Sequence, residues 1–329
     1  MSTIKMTALA GLFAGTAALA APAMVSAQAI DPALSDYKPV SGVSGSMKSI
    51  GSDTLNNLMA LWAEGFKTMY PSVKIEIEGK GSSTAPPALV AGTAHFGPMS
   101  RPMKGAEIDQ FEKKYGYKPM AIRGAVDALA IYVHKDNPIQ CLTLQQADAI
   151  FSKTRKGGLN NEIATWGDAG MTGEWANKPI SLYGRNSASG TYGYFKEVAL
   201  FNGDYKDAVK EQPGSSTVVQ GVASDKFAIG YSGVGYKTAD VRSVPLAAKA
   251  GAKCFDATAD NAYSGDYPLA RFLYVYANIN PNQKIDPVRG EFIKFVYSKQ
   301  GQQAVVKDGY FPVTNVIAVD DLKVMKLAM

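Results

Sequence analysis

Residues 183–197 read YGRNSASGTYGYFKE. An arginine precedes a run of small polar residues, and Tyr192, Tyr194 and Phe195 then open an apolar face, so the stretch predicts a strand, a turn and a helix start. Two further turns share this composition, GSDTL at 51–55 and GKGSSTA at 79–85. Backbone N–H groups in the first turn of a helix have no internal acceptor, and the helix dipole adds roughly half a positive charge there. Small residues let an anion approach those groups, and the hydroxyls of Thr54, Ser82, Ser83, Ser189 and Thr191 add donors. One such turn is an ordinary cap. Three of them, one beside Arg185 with its planar two-pronged donor, point to a site for an oxyanion.

The segments around these turns set the fold class. Leu55, Leu58, Met59, Trp62, Phe66 and Met69 fall at steps of three and four and predict an amphipathic helix, with Ser52, Asp53 and Thr54 as N-cap candidates and Pro71 as its stop. VKIEIE at 73–78 alternates with the period of a half-buried strand. A short helix over 86–91 and a strand within 94–103 follow, then a helix over 107–114 and one strongly apolar strand over 125–133. Further on come a helix at 145–151, a loop at 160–177, strands at 180–183, 227–231 and 271–277, and helices at 288–297 and 300–306. This alternation predicts an α/β fold.

The first 27 residues pair a single charge, Lys5, with the apolar run TALAGLFAGTAALAAPAM and end in Val25-Ser26-Ala27, the pattern of a secretory signal peptide cut near Ala27. The run is short and broken by Pro22, unlike a span of ~20 apolar residues. Cleavage leaves 302 residues, enough for two domains, and removes one positive charge from the formal +5. Basic residues are scattered rather than clustered, which argues against nucleic acid and suits a small anion. The polar stretch 28–47 reads as a partly disordered leader. Cys141 and Cys254 form either a disulfide or two buried thiols in an oxidising compartment. With two histidines and no CxxC, no metal site is expected.

The chain resembles the phosphate-binding proteins of the high-affinity phosphate ABC importers. The segments that carry the resemblance are GSDTLNNLMALWAEGF, IEGKGSSTAPPALVAGTAHFG, RNSASGTYGYFKE, KFAIGYSGVGY, YPLARFLYVYAN and FVYSKQGQQAVVKDGYFPV, in the family's order. The resemblance implies a two-lobed periplasmic binding protein of the type II-like class, with its ligand cleft between the lobes. It implies a lobe of 48–127 plus 273–329 and another of 128–272. The family's ligand contacts fall on Thr54, Leu55, Ser82, Arg185, Ser189, Gly190 and Thr191. Two departures stand out. The family's proton-accepting aspartate is replaced by Ser100, followed by Arg101, and a second aspartate by Ser187. Asp53 or Ser100 is therefore the expected proton acceptor, and Arg101 a second cation.

The expected partners are inorganic phosphate or a similar oxyanion and a membrane ABC permease, with the chain monomeric, periplasmic and free of cofactor and catalysis. Two other readings remain. A binder of sulfate or a phosphonate fits the missing aspartates. An exported phosphatase or hydrolase would use Ser82 or Ser189, but no GxSxG occurs and neither His95 nor His134 stands in an obvious pairing with a serine.

Overall fold

The structure, a computed structural model, describes residues 30–327. The first lobe is built from β1 (Ser46–Gly51), α1 (Asn56–Met69), β2 (Lys74–Gly79), α2 (Ala85–Ala91), β3 (Phe96–Met99), α3 (Gly105–Tyr115) and β4 (Met120–Ala128). The second contains β5 (Ala130–His134), β6 (Leu142–Thr143), α4 (Leu144–Phe151), β7 (Ser181–Arg185), α5 (Gly190–Val198) and β8 (Lys210–Gln212). It continues with α6 (Ser215–Ser224), β9 (Ala228–Ser232), β10 (Val241–Ser243), β11 (Leu246–Ala247) and α7 (Ala259–Ser264). The chain then re-enters the first lobe through β12 (Ala270–Ala277) and ends in α8 (Pro287–Val296), α9 (Lys299–Lys307) and α10 (Asn315–Val324).

Each lobe has its own sheet. The orders are β2-β1-β3-β12-β4 and β10-β5-β9-β7-β8, with β6 and β11 forming a small parallel pair. In the first sheet β1 runs parallel to β2 and β3, while β12 is antiparallel to β3 and β4. In the second, β7 is parallel to β8 and β9. The parallel strands β1, β2 and β7 thus each end at a turn that starts a helix, which gathers helix N-termini at one end of each sheet.

Hydrophobic periodicity accounts for the packing. The apolar stripe of α1 buries Leu58, Met59, Trp62 and Phe66, and the Trp62 indole N–H donates to the Gly301 carbonyl at 2.8 Å. In the second lobe, the Phe195 ring stacks on Tyr231 with centroids 4.0 Å apart, and Trp166 meets Trp175 edge-on at 6.0 Å.

Three expectations need correction. The apolar run 125–133 is two strands, β4 and β5, on different sheets, with Leu129 between them donating its N–H to the Leu269 carbonyl. Continuous apolar character marks burial on both faces but does not mark where a chain changes sheets. The leader is ordered from residue 30 onward. Leu34, Tyr37 and Val43 sit in the first lobe's core, the Tyr37 hydroxyl donates to Glu291 at 2.8 Å, and the Asn315 N–H donates to Asp31 at 2.8 Å. Its sparse apolar residues are spaced to reach a groove already built by α1 and α8, which no local period reveals. Three helices, α6, α7 and α10, have no counterpart among the sequence expectations. The signal-peptide expectation falls outside the described residues.

Cys141 and Cys254 are joined by a disulfide across a sequence separation of 113 residues, flanking the β6–β11 pair. Opening a loop of this size releases chain entropy in the unfolded state worth about 4–5 kcal/mol. Cys141→Ser/Cys254→Ser should therefore melt well below the oxidised wild type and match the wild type in reductant. A melting temperature indifferent to reduction would show that the bridge does not form in solution.

Candidate functional site

Residues from both lobes meet in a buried cluster of hydroxyls and guanidiniums. Five hydroxyls form its centre. Ser52 donates to Ser100 Oγ at 3.2 Å, Ser82 Oγ lies 3.3 Å from Ser100 Oγ, and Thr191 Oγ1 lies 3.3 Å from Ser100 Oγ and 3.0 Å from Thr54 Oγ1. The Ser100 N–H also donates to Ser82 Oγ at 3.0 Å. All five side chains are buried. Each hydroxyl can rotate to donate or accept.

Local structure explains why these groups are available. The turn 53–55 is a short 3₁₀ helix ahead of α1, and no side chain caps either element. None of the three N-cap candidates serves α1, because Ser52, Asp53 and Thr54 all direct their side chains to partners elsewhere. Leu55 is buried in the first lobe's core, so only its backbone belongs to the turn. Ser189 does cap its helix, its Oγ accepting from the Thr191 N–H at 3.1 Å and the Tyr192 N–H at 3.4 Å, which leaves its hydroxyl proton free to donate. Gly190 is required by proximity. A Cβ there would lie 2.3 Å from Ser82 Oγ and 2.7 Å from Ser100 Oγ. Gly81, at φ +114°, approaches the Ala188 carbonyl so closely that a Cβ would lie 2.5 Å from its oxygen. The two lobes touch here through backbone.

Two guanidiniums flank the hydroxyls. Arg185, only 1% exposed, donates through Nη1 to Ser215 Oγ at 2.6 Å and through Nη2 to the Pro213 carbonyl at 2.9 Å, and Nη1 lies 3.2 Å from Asp53 Oδ1. Its Nε–H is buried and unspent among the described residues. Burial pulls the guanidinium below its usual pKa, with Asp53 opposing. Arg271 binds Asp127 Oδ2 through Nε at 3.0 Å and Nη2 at 2.8 Å. It also donates to the Ser100 carbonyl at 2.7 Å and to Thr191 Oγ1 at 3.0 Å. Asp127 Oδ1 accepts the Val234 N–H at 2.9 Å, and the Arg271 guanidinium lies 5.1 Å from the Tyr194 ring centroid. Arg271 therefore ties a crossover strand to both sides of the cluster.

The structure brings together Asp53, Thr54, Ser82, Ser100, Arg185, Gly190 and Thr191, with Ser189 reaching the cluster only through its cap bond to the Thr191 N–H. It does not bring in Ser83 or Arg101. Ser83 is exposed, and its N–H donates to the Ala188 carbonyl at 3.1 Å. Arg101 grips Glu107 with both prongs, at 2.8 and 2.7 Å, and bonds the Pro102 carbonyl, so its charge is spent on α3. Ser187 lines an outer cavity of about 610 Å³ along with Ser83, Arg101 and Ser189, a cavity that neither Arg185 nor Arg271 lines.

Four groups were missed in the sequence: Arg271, Asp127, Ser52 and Ser215. The first two had a signal, since each is the single charge in an apolar run, RFLYVYA and AVDALAIYV, where only a buried partner makes a charge tolerable. Ser215 lies in a second GSST, 214–217, identical to 81–84.

Neither imidazole serves a serine. His95 Nδ1 accepts the Lys48 N–H at 2.9 Å, burial lowering its pKa, and His134 Nδ1 accepts the Asp136 N–H at 3.2 Å. Among the described residues no group of three or more His, Cys, Asp or Glu could hold a metal, and no helix is long and apolar enough to cross a membrane.

A model of the PBP superfamily domain matches residues 38–300. The chain is 57% identical to the phosphate-binding protein PstS of Pseudomonas aeruginosa strain PAO1 over 322 residues, 98% of each chain. It is 30% identical to PstS of Staphylococcus epidermidis strain RP62A over 264 residues, 79% of this chain and 77% of that one. Among solved structures it superposes on a putative phosphate ABC transporter substrate-binding protein with bound phosphate from Clostridium perfringens. There the TM-score is 0.69 at 27% identity, covering 82% of this chain and all of that one.

Beneath the first turn lies a group that titrates near neutrality. Asp308 accepts from the Asn57 side-chain amide, while its Oδ2 is buried without a partner among the described residues. Burial pushes its carboxyl up to about 6, the Asn57 bond partly opposing. A carboxyl raised in the folded state holds its proton more tightly there than in the unfolded chain. Its contribution is therefore present below pH ~4 and lost as the pH climbs through about 6, by roughly 3 kcal/mol at most. Asp308→Asn should gain stability over wild type in urea unfolding at pH 8 and show no gain at pH 4. Equal gains at both pH values would place the effect elsewhere.

Proposed function

The chain belongs to the PBP superfamily, and on that footing we propose that it is an exported solute-binding protein that captures inorganic phosphate between its lobes and delivers it to a membrane ABC importer. The observation that carries this reading is the convergence of Thr54, Ser82, Ser100, Thr191 and Arg271 at one buried point between the lobes, with Arg185 joined to it through Asp53, the neighbour of Thr54. Tetrahedral oxyanions demand many donors from many directions, and rotating hydroxyls, uncapped first-turn N–H groups and planar guanidiniums supply them. The unspent Nε–H of Arg185 adds one more. Removal of water on closure strengthens each contact.

In this reading residues 1–27 are removed near Ala27, the mature protein works in the periplasm as a monomer, and it carries out no chemistry on its ligand. Lobe 1 comprises 48–127 with 273–329 and lobe 2 comprises 128–272. The ends of β4 at Ala128 and the start of β12 at Ala270 lie within a few residues of those bounds.

The structure favours Ser100 over Asp53 as acceptor of the phosphate proton. Asp53 Oδ1 already takes two hydrogen bonds from Ser215 and the Arg185 charge, whereas Ser100 Oγ has only hydroxyl neighbours that can reorient. Each guanidinium already has a carboxylate partner, Asp53 or Asp127, so discrimination rests on the acceptor: hydrogen phosphate can donate its proton to Ser100 Oγ, whereas sulfate, of equal charge, has none to donate.

Phosphate at a hundredfold excess over its Kd should stabilise the mature protein by about 2.7 kcal/mol. Calorimetry should show heat with phosphate and weaker binding of sulfate. Arg185→Ala should abolish the phosphate-induced thermal shift while far-UV circular dichroism stays native. A retained shift would remove Arg185 from the site, and equal affinity for phosphate and sulfate would overturn the preference.

A further inference from the structure

The tetrapeptide GSST leads into α2 at 81–84 and into α6 at 214–217. The first copy sends Ser82 into the hydroxyl cluster. The second is closed by a side chain from the opposite lobe. Asp53 Oδ1 accepts the Ser215 N–H at 2.7 Å and the Ser215 hydroxyl at 2.9 Å, and lies 3.2 Å from Arg185 Nη1. A helix N-terminus and a buried guanidinium therefore converge on one carboxylate oxygen. Nothing local demands this arrangement. Asp53 opens the 3₁₀ turn ahead of α1, where a carboxylate ordinarily caps its own helix, yet no side chain caps that turn. The same residue takes a further contact from the second lobe, since the Tyr236 hydroxyl donates to the Asp53 carbonyl at 3.0 Å.

We propose that Asp53 is a built-in anion that latches the two lobes together. In the closed arrangement Arg185 lies out of water and needs a counter-charge, and Asp53 supplies it from across the cleft. On opening, the carboxylate and its three donors part and are hydrated separately. Asp53 thus raises the population of the closed form before any ligand arrives, and the apparent affinity rises with that population. It is a positioning residue that acts through Arg185 and α6. Only the affinity part of this inference rests on phosphate being the ligand.

Small-angle scattering and calorimetry on the mature chain test it, using wild type, Asp53→Asn, Asp53→Glu and Ser215→Ala, each without ligand and with inorganic phosphate. Without phosphate, Asp53→Asn and Ser215→Ala should have larger radii of gyration than wild type, and Asp53→Glu should recover part of the compaction. Phosphate should bring all four to one radius. A tenfold loss of the closed population in Asp53→Asn raises the apparent Kd about tenfold. Equal phosphate-free radii in wild type, Asp53→Asn and Ser215→Ala would overturn the latch. If wild type gives no heat with phosphate, the ligand assignment falls while the phosphate-free radii still decide the latch. Should Asp53→Asn fail to fold, Ser215→Ala carries the same comparison.

Discussion

Two guanidinium groups, those of Arg185 and Arg271, are taken almost wholly out of water where the lobes meet. An isolated buried charge costs far more than a domain's net stability can absorb, so both must be compensated where they stand. Asp127 compensates Arg271 from the adjoining crossover strand, and Asp53 compensates Arg185 from the opposite lobe. Lobe closure and site assembly are therefore one event. Moving the lobes apart separates Arg185 from Asp53, Thr191 from Thr54, and Ser83 from Ala188 together.

Topology makes this possible. β1, β2 and β7 end at one edge of their sheets and pass at once into helices, so uncapped or self-capped N-termini face the cleft from both sides. Glycine at 81 lets backbone approach the Ala188 carbonyl, and glycine at 190 makes room for the Ser82 and Ser100 hydroxyls, closer than any side chain allows. The crossover strands β4 and β12 lie antiparallel side by side, and each carries one member of the Asp127–Arg271 pair. Any hinge motion of the lobes must pass through these strands, and the pair sits on them while also reaching Thr191 of α5.

Much of the site was legible because helix-start chemistry is local. Small polar residues at a strand end announce exposed N–H groups whatever the fold around them, and Arg185 stood beside one such turn. Ser83 and Arg101 misled for the converse reason. Both sit in the right segments, but a one-residue shift around a 3₁₀ turn points Ser83 outward, and Glu107, six residues on from Arg101, takes up its guanidinium. Arg271 and Asp127 left only an indirect trace, a lone charge in each of two apolar runs. Partner identity is a long-range fact, with 144 residues between them.

By itself the sequence determined the α/β class, the amphipathic α1 and the three turns. All of these follow from periodicities and capping preferences within about ten residues. Only the tertiary structure decided that the run 125–133 changes sheets, that the stretch after residue 30 folds into the core, that Asp53 spans the cleft, and that Arg271 belongs to the site. The physical reason is the same in each case. Burial and charge compensation depend on which distant segments share a volume, and that is settled by packing the whole chain.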